Sequence, residues 1–176
     1  SARAARIRAV IVVAESGPLI SLSSVDLLDI PAHQFDEVLL PDAVYTEVVE
    51  RGAGRAGSSE VAHARWLTRT PAPPSGLVGL PTAEHLGPGE REAIAIALSR
   101  DTNLLCDDLA ARRVAAHLGA STIGTLAVLV QARSTGELPE LAPVLLRLMA
   151  NGFRISGPLL RHVLQQVGEP TPDEDR

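Results

Sequence analysis

The sequence predicts an α/β sandwich around a parallel sheet, and three observations predict it. Short runs such as "AVIVVA", "VLL" and "LLC" are continuously apolar rather than alternating, as strands buried on both faces are. Stretches with helical spacing separate these runs, so strands and helices alternate along the chain. Gly, Pro, Asp and Ser mark most of the junctions.

Taken in order, "IRAVIVVA", Ile7 to Ala14, predicts the first strand. After Pro18, "LISLSSVDLLDI" predicts one or two short helices closed by Pro31, and "EVLLP" a second strand. Pro41-Asp42 opens a helix, "AVYTEVVERG", that Gly52 ends. "GAGRAGSS" reads as a loop and "SEVAHARWL" as a helix with Trp66 as a core anchor. "TPAPPSGLVGLP" reads as a Pro-rich connection with an edge strand at Leu77 to Leu80. "GPGEREAIAIALSR" predicts an Ala/Ile helix, "TNLLCDD" a third clear strand, and "LAARRVAAHLG" a helix stopped by Gly119. "STIG" is a short strand, "TLAVLVQARSTG" a helix, and "LPELAPVLLRLMANG" and "SGPLLRHVLQQVG" two C-terminal helices. A single domain over 7–168 is expected, followed by a disordered acidic tail, "EPTPDEDR", over 169–176.

Composition narrows the function. Hydrophobic residues make up 45% but aromatics only 2%, so the core is Ala, Leu, Val and Ile, with few rings for bases to stack on. No apolar stretch approaches the ~20 residues a membrane span needs, and the N-terminal run is too short for a signal peptide. No membrane role is expected. The lone cysteine, Cys106, excludes an internal disulfide and fits a cytoplasmic protein; inside "NLLCDD" it reads as a buried thiol rather than a nucleophile. A net charge of −5 provides no overall basic footprint for nucleic acid, although all 16 basic residues are Arg, the better fork for phosphates. The scattered His33, His63, His85, His117 and His162 read as surface or structural residues.

Open parallel sheets bind ligands beyond the carboxyl ends of their strands. Those ends carry Glu15-Ser16, Asp107-Asp108 and Gly124-Thr125. A carboxylate costs several kcal/mol to bury alone, so Glu15 at the lip of a core strand needs water, a partner or a metal. Glu47 borders an apolar stripe in its helix. Glu90 shares an apolar face with Ala93, Ile94 and Ala97, while Glu92 leads a second row with Ile96 and Ser99.

If these acids converge they resist ionising together, and a divalent cation removes the difficulty. Oxygen ligands without Cys or His suit Mg²⁺ or Mn²⁺, which can assist phosphodiester hydrolysis. Each acid also has a plain role open to it: Asp108 as a helix N-cap, Glu90 as a first-turn acid, Glu47 as a solvated charge. Arg112 and Arg113 follow the Asp pair by about one helical turn, as phosphate ligands or solvated helix charges. Ser16 and Thr125 stand where they can hydrogen-bond a metal ligand or cap a helix. "GPGERE" is Gly-rich before a helix but lacks the Lys of a phosphate-binding loop.

"VIVVAESGPLISL…LLDI", "EVLLPDAVYTEVVERG", "LGPGEREAIAIAL", "NLLCDDLAARRVAAHLG" and "IGTLAVLVQARSTGELP" follow one another in an order that resembles PIN-domain proteins. The closest likeness is to a prokaryotic branch ending in "GFRIS…LL..VL", here Gly152 to Leu164, and it covers roughly Val10 to Gly168. The resemblance implies a three-layer α/β/α sandwich with a central parallel sheet. It also implies a Mg²⁺- or Mn²⁺-dependent ribonuclease acting on RNA, often the toxin of a pair with an antitoxin protein. The family acids fall on Glu15, Glu47, Glu90 (with Glu92 the alternative) and Asp107 (with Asp108 beside it). The family normally has Asp where this chain has Glu15, a longer side chain that displaces the carboxylate. The alternative is therefore a degenerate PIN scaffold that binds RNA or a protein without cutting. The apolar C-terminal helices are read as finishing the core or covering a homodimer face.

Overall fold

A computed structural model describes residues 10–80 and 86–172. His85, residues 7–9 of the expected first strand and 173–176 of the expected tail lie outside the described residues. The described chain forms β1 (Ile11–Ala14), α1 (Ser16–Ser23), α2 (Ile30–Gln34), β2 (Glu37–Pro41) and α3 (Asp42–Tyr45), which continues into a π-helical turn, Thr46–Glu50. Then come α4 (Ser58–His63), β3 (Leu67–Thr70), a 3₁₀ turn (Pro74–Leu77), α5 (Pro88–Arg100), β4 (Asn103–Leu105) and α6 (Leu109–His117). β5 (Thr122–Ile123), α7 (Thr125–Ser134), α8 (Ala142–Ala150) and α9 (Gly157–Gln166) complete it.

The five strands make one sheet in the order β3-β2-β1-β4-β5, and every neighbouring pair is parallel. The chain builds outward from β1 to β3 on one side, then crosses back to place β4 on the other. The order therefore reverses between β1 and β4, the position where open sheets of this kind form a crevice at their carboxyl ends. Ala14 pairs with Leu105 across that junction, and the Glu15 amide donates to the Leu105 carbonyl at 3.0 Å.

Successive strand residues feed two cores, which explains why the strands read as unbroken apolar runs. Val12, Ala14, Leu40 and Leu105 join Leu19, Leu22, Leu129, Leu145 and Leu148 on one face. Val13, Leu39, Leu104 and Cys106 join Ala93, Ile94, Ile96, Ala111 and Ala115 on the other. The Ala-rich composition of α5 and α6 lets both pack close to the sheet. The three-layer α/β/α sandwich expected from the sequence is thus the fold.

Several local expectations are corrected. Pro31 does not close a helix; it stands in the first turn of α2, where its missing N–H leaves no hydrogen bond unmade. Leu77 to Leu80 is no strand, because Pro74–Leu77 turns as a 3₁₀ helix and Gly79 takes φ +83°. The edge strand is instead β3, taken from the end of "SEVAHARWL", whose helix stops at His63. Trp66 is half-buried against the main core, and its indole donates to Asp29 Oδ1 at 3.0 Å. Glu169, placed by its sequence in the tail, binds the start of α8. It accepts from the Leu141 and Ala142 amides at 2.8 Å each and from Arg133 Nε at 2.6 Å.

Candidate functional site

The site lies at the carboxyl ends of β1 and β4 and is built from five loops and helix starts. Glu15 ends β1 as the extended residue before α1, and only 4% of it is exposed. Its Oε1 is buried without a hydrogen-bond partner. Burial pushes its carboxyl up to about 7; a hydrogen bond from the Cys106 thiol opposes that rise, while Glu90, Asp108 and Asp107 nearby add to it. Cys106 is fully buried, as its sequence context predicts, and burial together with the neighbouring Glu15 holds it as a thiol.

Glu47 reaches the site from the π turn, where the Arg51 amide bonds the Thr46 carbonyl five residues back. Its carboxylate is clamped from two elements: Ser16 Oγ donates to Oε2 at 2.6 Å, and the Gly89 amide donates to Oε1 at 2.9 Å. A Cβ on Gly89 would lie 2.6 Å from Glu47 Oε2, so only glycine admits this contact. π turns interrupt helices often at functional sites, and here the interruption carries the acid.

Glu90 and Glu92 separate in role. Glu90 folds back over the start of α5 and accepts the Gly87 amide, satisfying one of the free N–H groups at that helix start. Glu92 accepts the Ala43 amide at 2.8 Å and so ties α5 to the start of α3. Of the two, Glu90 is the one whose charge acts on Glu15.

Asp107 and Asp108 separate as well. Asp108 caps α6, its Oδ1 accepting the Ala111 amide at 2.8 Å. Asp107 is turned across the crevice to Thr125, which donates from its amide at 2.7 Å and from Oγ1 at 2.5 Å. Thr125 is fully buried. Arg112 is half-buried and lines the cleft beside these acids, together with both aspartates. Arg113 is exposed and is not among the residues lining that cleft.

The structure therefore brings Glu15, Glu90, Asp107 and Asp108 within electrostatic reach at one end of the sheet, with Glu47 joined through Ser16. Among the described residues, however, no three His, Cys, Asp or Glu side chains stand close enough together to hold a metal ion. The reason is visible in the contacts: each acid except Glu15 is turned to an amide or hydroxyl of its own surroundings. The residue sequence reasoning missed is Gly89. Its signal was the "GPG" before the acidic helix, which reads as a phosphate loop without its Lys but serves to admit Glu47.

The remaining histidines are peripheral. His33 pairs with Glu137, His63 bonds the Ser59 carbonyl of its own helix, and His117 and His162 are exposed.

A family model described as DUF3368, PIN domain, matches residues 11–169. Among solved structures, the fold is similar to a PilT N-terminus domain protein, SSO1118, from the archaeon Sulfolobus solfataricus P2. That match has 17% sequence identity and a TM-score of 0.47, and covers 69% of this chain and 92% of that one. No curated protein matches the chain.

Proposed function

The chain belongs to the PIN-domain family, and from that premise we propose that it is a Mg²⁺- or Mn²⁺-dependent ribonuclease that hydrolyses RNA phosphodiesters. The observation that carries the reading is Glu15: a buried carboxyl group with an unpartnered oxygen, standing at the end of β1 within electrostatic reach of three other acids. Leaving a buried polar atom unpaired is costly, and repelling carboxylates around it add to that cost. A hard cation relieves both, and the all-oxygen donor set suits one.

Glu15, Glu90 and Asp107, which do not meet closely enough to hold an ion as they stand, would have to be drawn together around it, with Glu47 and Asp108 at its margin. When bound, such an ion polarises a phosphoryl oxygen and makes water a better nucleophile. The chain's own residues supply the rest. Thr125 fixes the Asp107 carboxylate by two hydrogen bonds, and Ser16 with Gly89 fixes Glu47. Glu47, fixed in this way, can take a proton from an attacking water without first reorganising. Arg112 stands beside Asp107 to meet substrate phosphate.

A toxin role with an antitoxin protein and a cytoplasmic location belong to the same proposal, on the family resemblance and the lone buried thiol. A homodimer is supported by the exposed apolar side chains Leu146, Met149 and Leu159 on α8 and α9.

A second reading, a scaffold that binds RNA or a protein without cutting, is favoured by the raised pKa of Glu15 and by the neighbouring acids, each taken up by an amide or hydroxyl rather than gathered at one point. Incubating purified protein with a mixed RNA pool in Mn²⁺, Mg²⁺ or EDTA, beside Asp107→Asn, separates the two. Metal-dependent cutting that the substitution abolishes is the expected result. Intact RNA with folded protein would leave the scaffold reading.

A further inference from the structure

A cavity of about 340 Å³ opens at the end of α1 away from Ser16, within the about 300–1,000 Å³ typical of small-ligand sites. Asp26, Leu28 and Asp29 line it from the loop between α1 and α2. Glu60, His63 and Ala64 line it from α4 and its end, where i, i+3, i+4 spacing puts them on one face. Ser23, the last residue of α1, completes the wall. It is only 5% exposed, and its hydroxyl is buried with no hydrogen-bond partner. Leaving a buried hydroxyl unpaired is costly, so this one lacks a partner that the fold itself does not provide.

The other polar groups of the wall are acceptors. Asp26 accepts from Arg147 Nη2 at 3.0 Å, and Asp29 accepts from the Trp66 indole at 3.0 Å. His63 Nδ1 lies 2.7 Å from the Ser59 carbonyl, which can only accept, so the neutral ring keeps its lone pair on Nε2. Among the described residues, no arginine lines the cavity and no cation pairs with Asp29 or Glu60. Two carboxylates therefore stand uncompensated beside an unpaired hydroxyl. They do not suit a metal ion, because among the described residues no three His, Cys, Asp or Glu side chains gather closely enough. Spread acceptors, together with the apolar Leu28 and Ala64, suit ammonium groups joined by methylenes that lie along apolar surface. The chain has no lysine, so a second copy brings no ammonium group here.

We propose that this cavity binds an aliphatic diamine. Its two ammonium groups neutralise Asp29 and Glu60, its methylenes lie on Leu28 and Ala64, and one N–H is donated to Ser23. The inference is independent of the ribonuclease reading.

Isothermal titration calorimetry of the full chain with putrescine, at low salt and about pH 8, where an ordinary His is neutral, tests this. Saturable binding is expected, with butylamine, which carries one charge, binding about fivefold more weakly. Glu60→Gln and Asp29→Asn, which keep the shape of each side chain, each raise the Kd up to about fivefold, and the double variant about tenfold or more. Glu140→Gln removes the same charge from the loop before α8 and leaves binding unchanged. Ser23→Ala weakens binding, yet without putrescine it melts no lower than the wild type, because the hydroxyl it removes had no partner. No saturable binding by the wild type, or wild-type affinity in the double variant, would overturn the assignment. So would binding that Asp107→Asn abolishes and the double variant keeps, which places the diamine on the acids at the strand ends.

Discussion

The Gly89 amide donates to Glu47 at 2.9 Å from a position where a single methyl group would strike the same carboxylate. The first residues of α5 and the π turn after α3 are therefore fitted to each other around one acid.

Gly89→Ala is expected to expel Glu47 from its clamp with little loss of fold, since helix interiors favour Ala over Gly. RNA cleavage should fall at least about tenfold, because misplacing a positioned group is costly. Thermal unfolding should change by no more than roughly 2–4 °C, the equivalent of about 1 kcal/mol for a chain of this size. Ser16→Ala, which removes the other half of the clamp, is expected to act in the same direction. Full activity in both variants would mean that the placement of Glu47 does not matter.

Glu15 makes stability depend on pH. Its folded pKa of about 7 lies above the ordinary 4.5, so between these values the folded state keeps a proton that the unfolded state releases. Without divalent cations, its contribution is full below pH 4.5 and is lost as pH rises through 7, by about 3 kcal/mol in all. Glu15→Gln should therefore unfold at higher urea than the wild type at pH 8 and at a similar concentration near pH 4.5. Parallel pH profiles for the two proteins would refute the assignment. Added Mn²⁺ should stabilise the wild type at pH 8 and have much less effect on the variant.

The neighbouring aspartates should give opposite phenotypes. Asp108→Ala removes the cap of α6 and should cost about 0.5–2 kcal/mol of stability while retaining most cleavage. Asp107→Asn keeps the shape but loses the charge that Thr125 orients, and should abolish cleavage with the fold intact. Circular-dichroism melts and the RNA assay, run on both variants, read out the difference.

Glu169 contributes stability in the other direction. Burial alone would raise its pKa, but the Leu141 and Ala142 amides and Arg133 outweigh this and lower it. Its contribution is present above the ordinary value of 4.5 and is lost as pH falls through the lowered one. Glu169→Gln should thus lower the urea midpoint clearly at pH 7, and by less as the buffer is taken below pH 4.5. An unchanged midpoint at pH 7 would count against the cap.

β1, β2 and β4 could be read from the sequence because burial on both faces leaves them no polar positions beyond the first residues of β2 and β4, Glu37 and Asn103. β3 could not: Thr68 and Arg69 are exposed on an edge strand, so "LTRT" carries no apolar run, and its pairing with β2 comes from the tertiary fold. The site acids were visible because parallel topology delivers strand ends to one place. Which acid of each adjacent pair faces the centre was not visible. That depends on whether an amide such as Ala111 or Ala43 lies within reach, and folding alone brings the Ala43 amide to Glu92. The clamp on Glu47 was hidden for the same reason, since its donors come from residues 31 and 42 positions away.

The bond from Glu169 to the start of α8 spans 28 residues. A ribosome makes α8 well before it makes this glutamate, so the helix emerges with its first amides bare and its apolar face still without α9. The nascent chain must therefore hold an incomplete layer against solvent until the last stretch of the domain has been threaded out, and only then can the sheet be closed on that side.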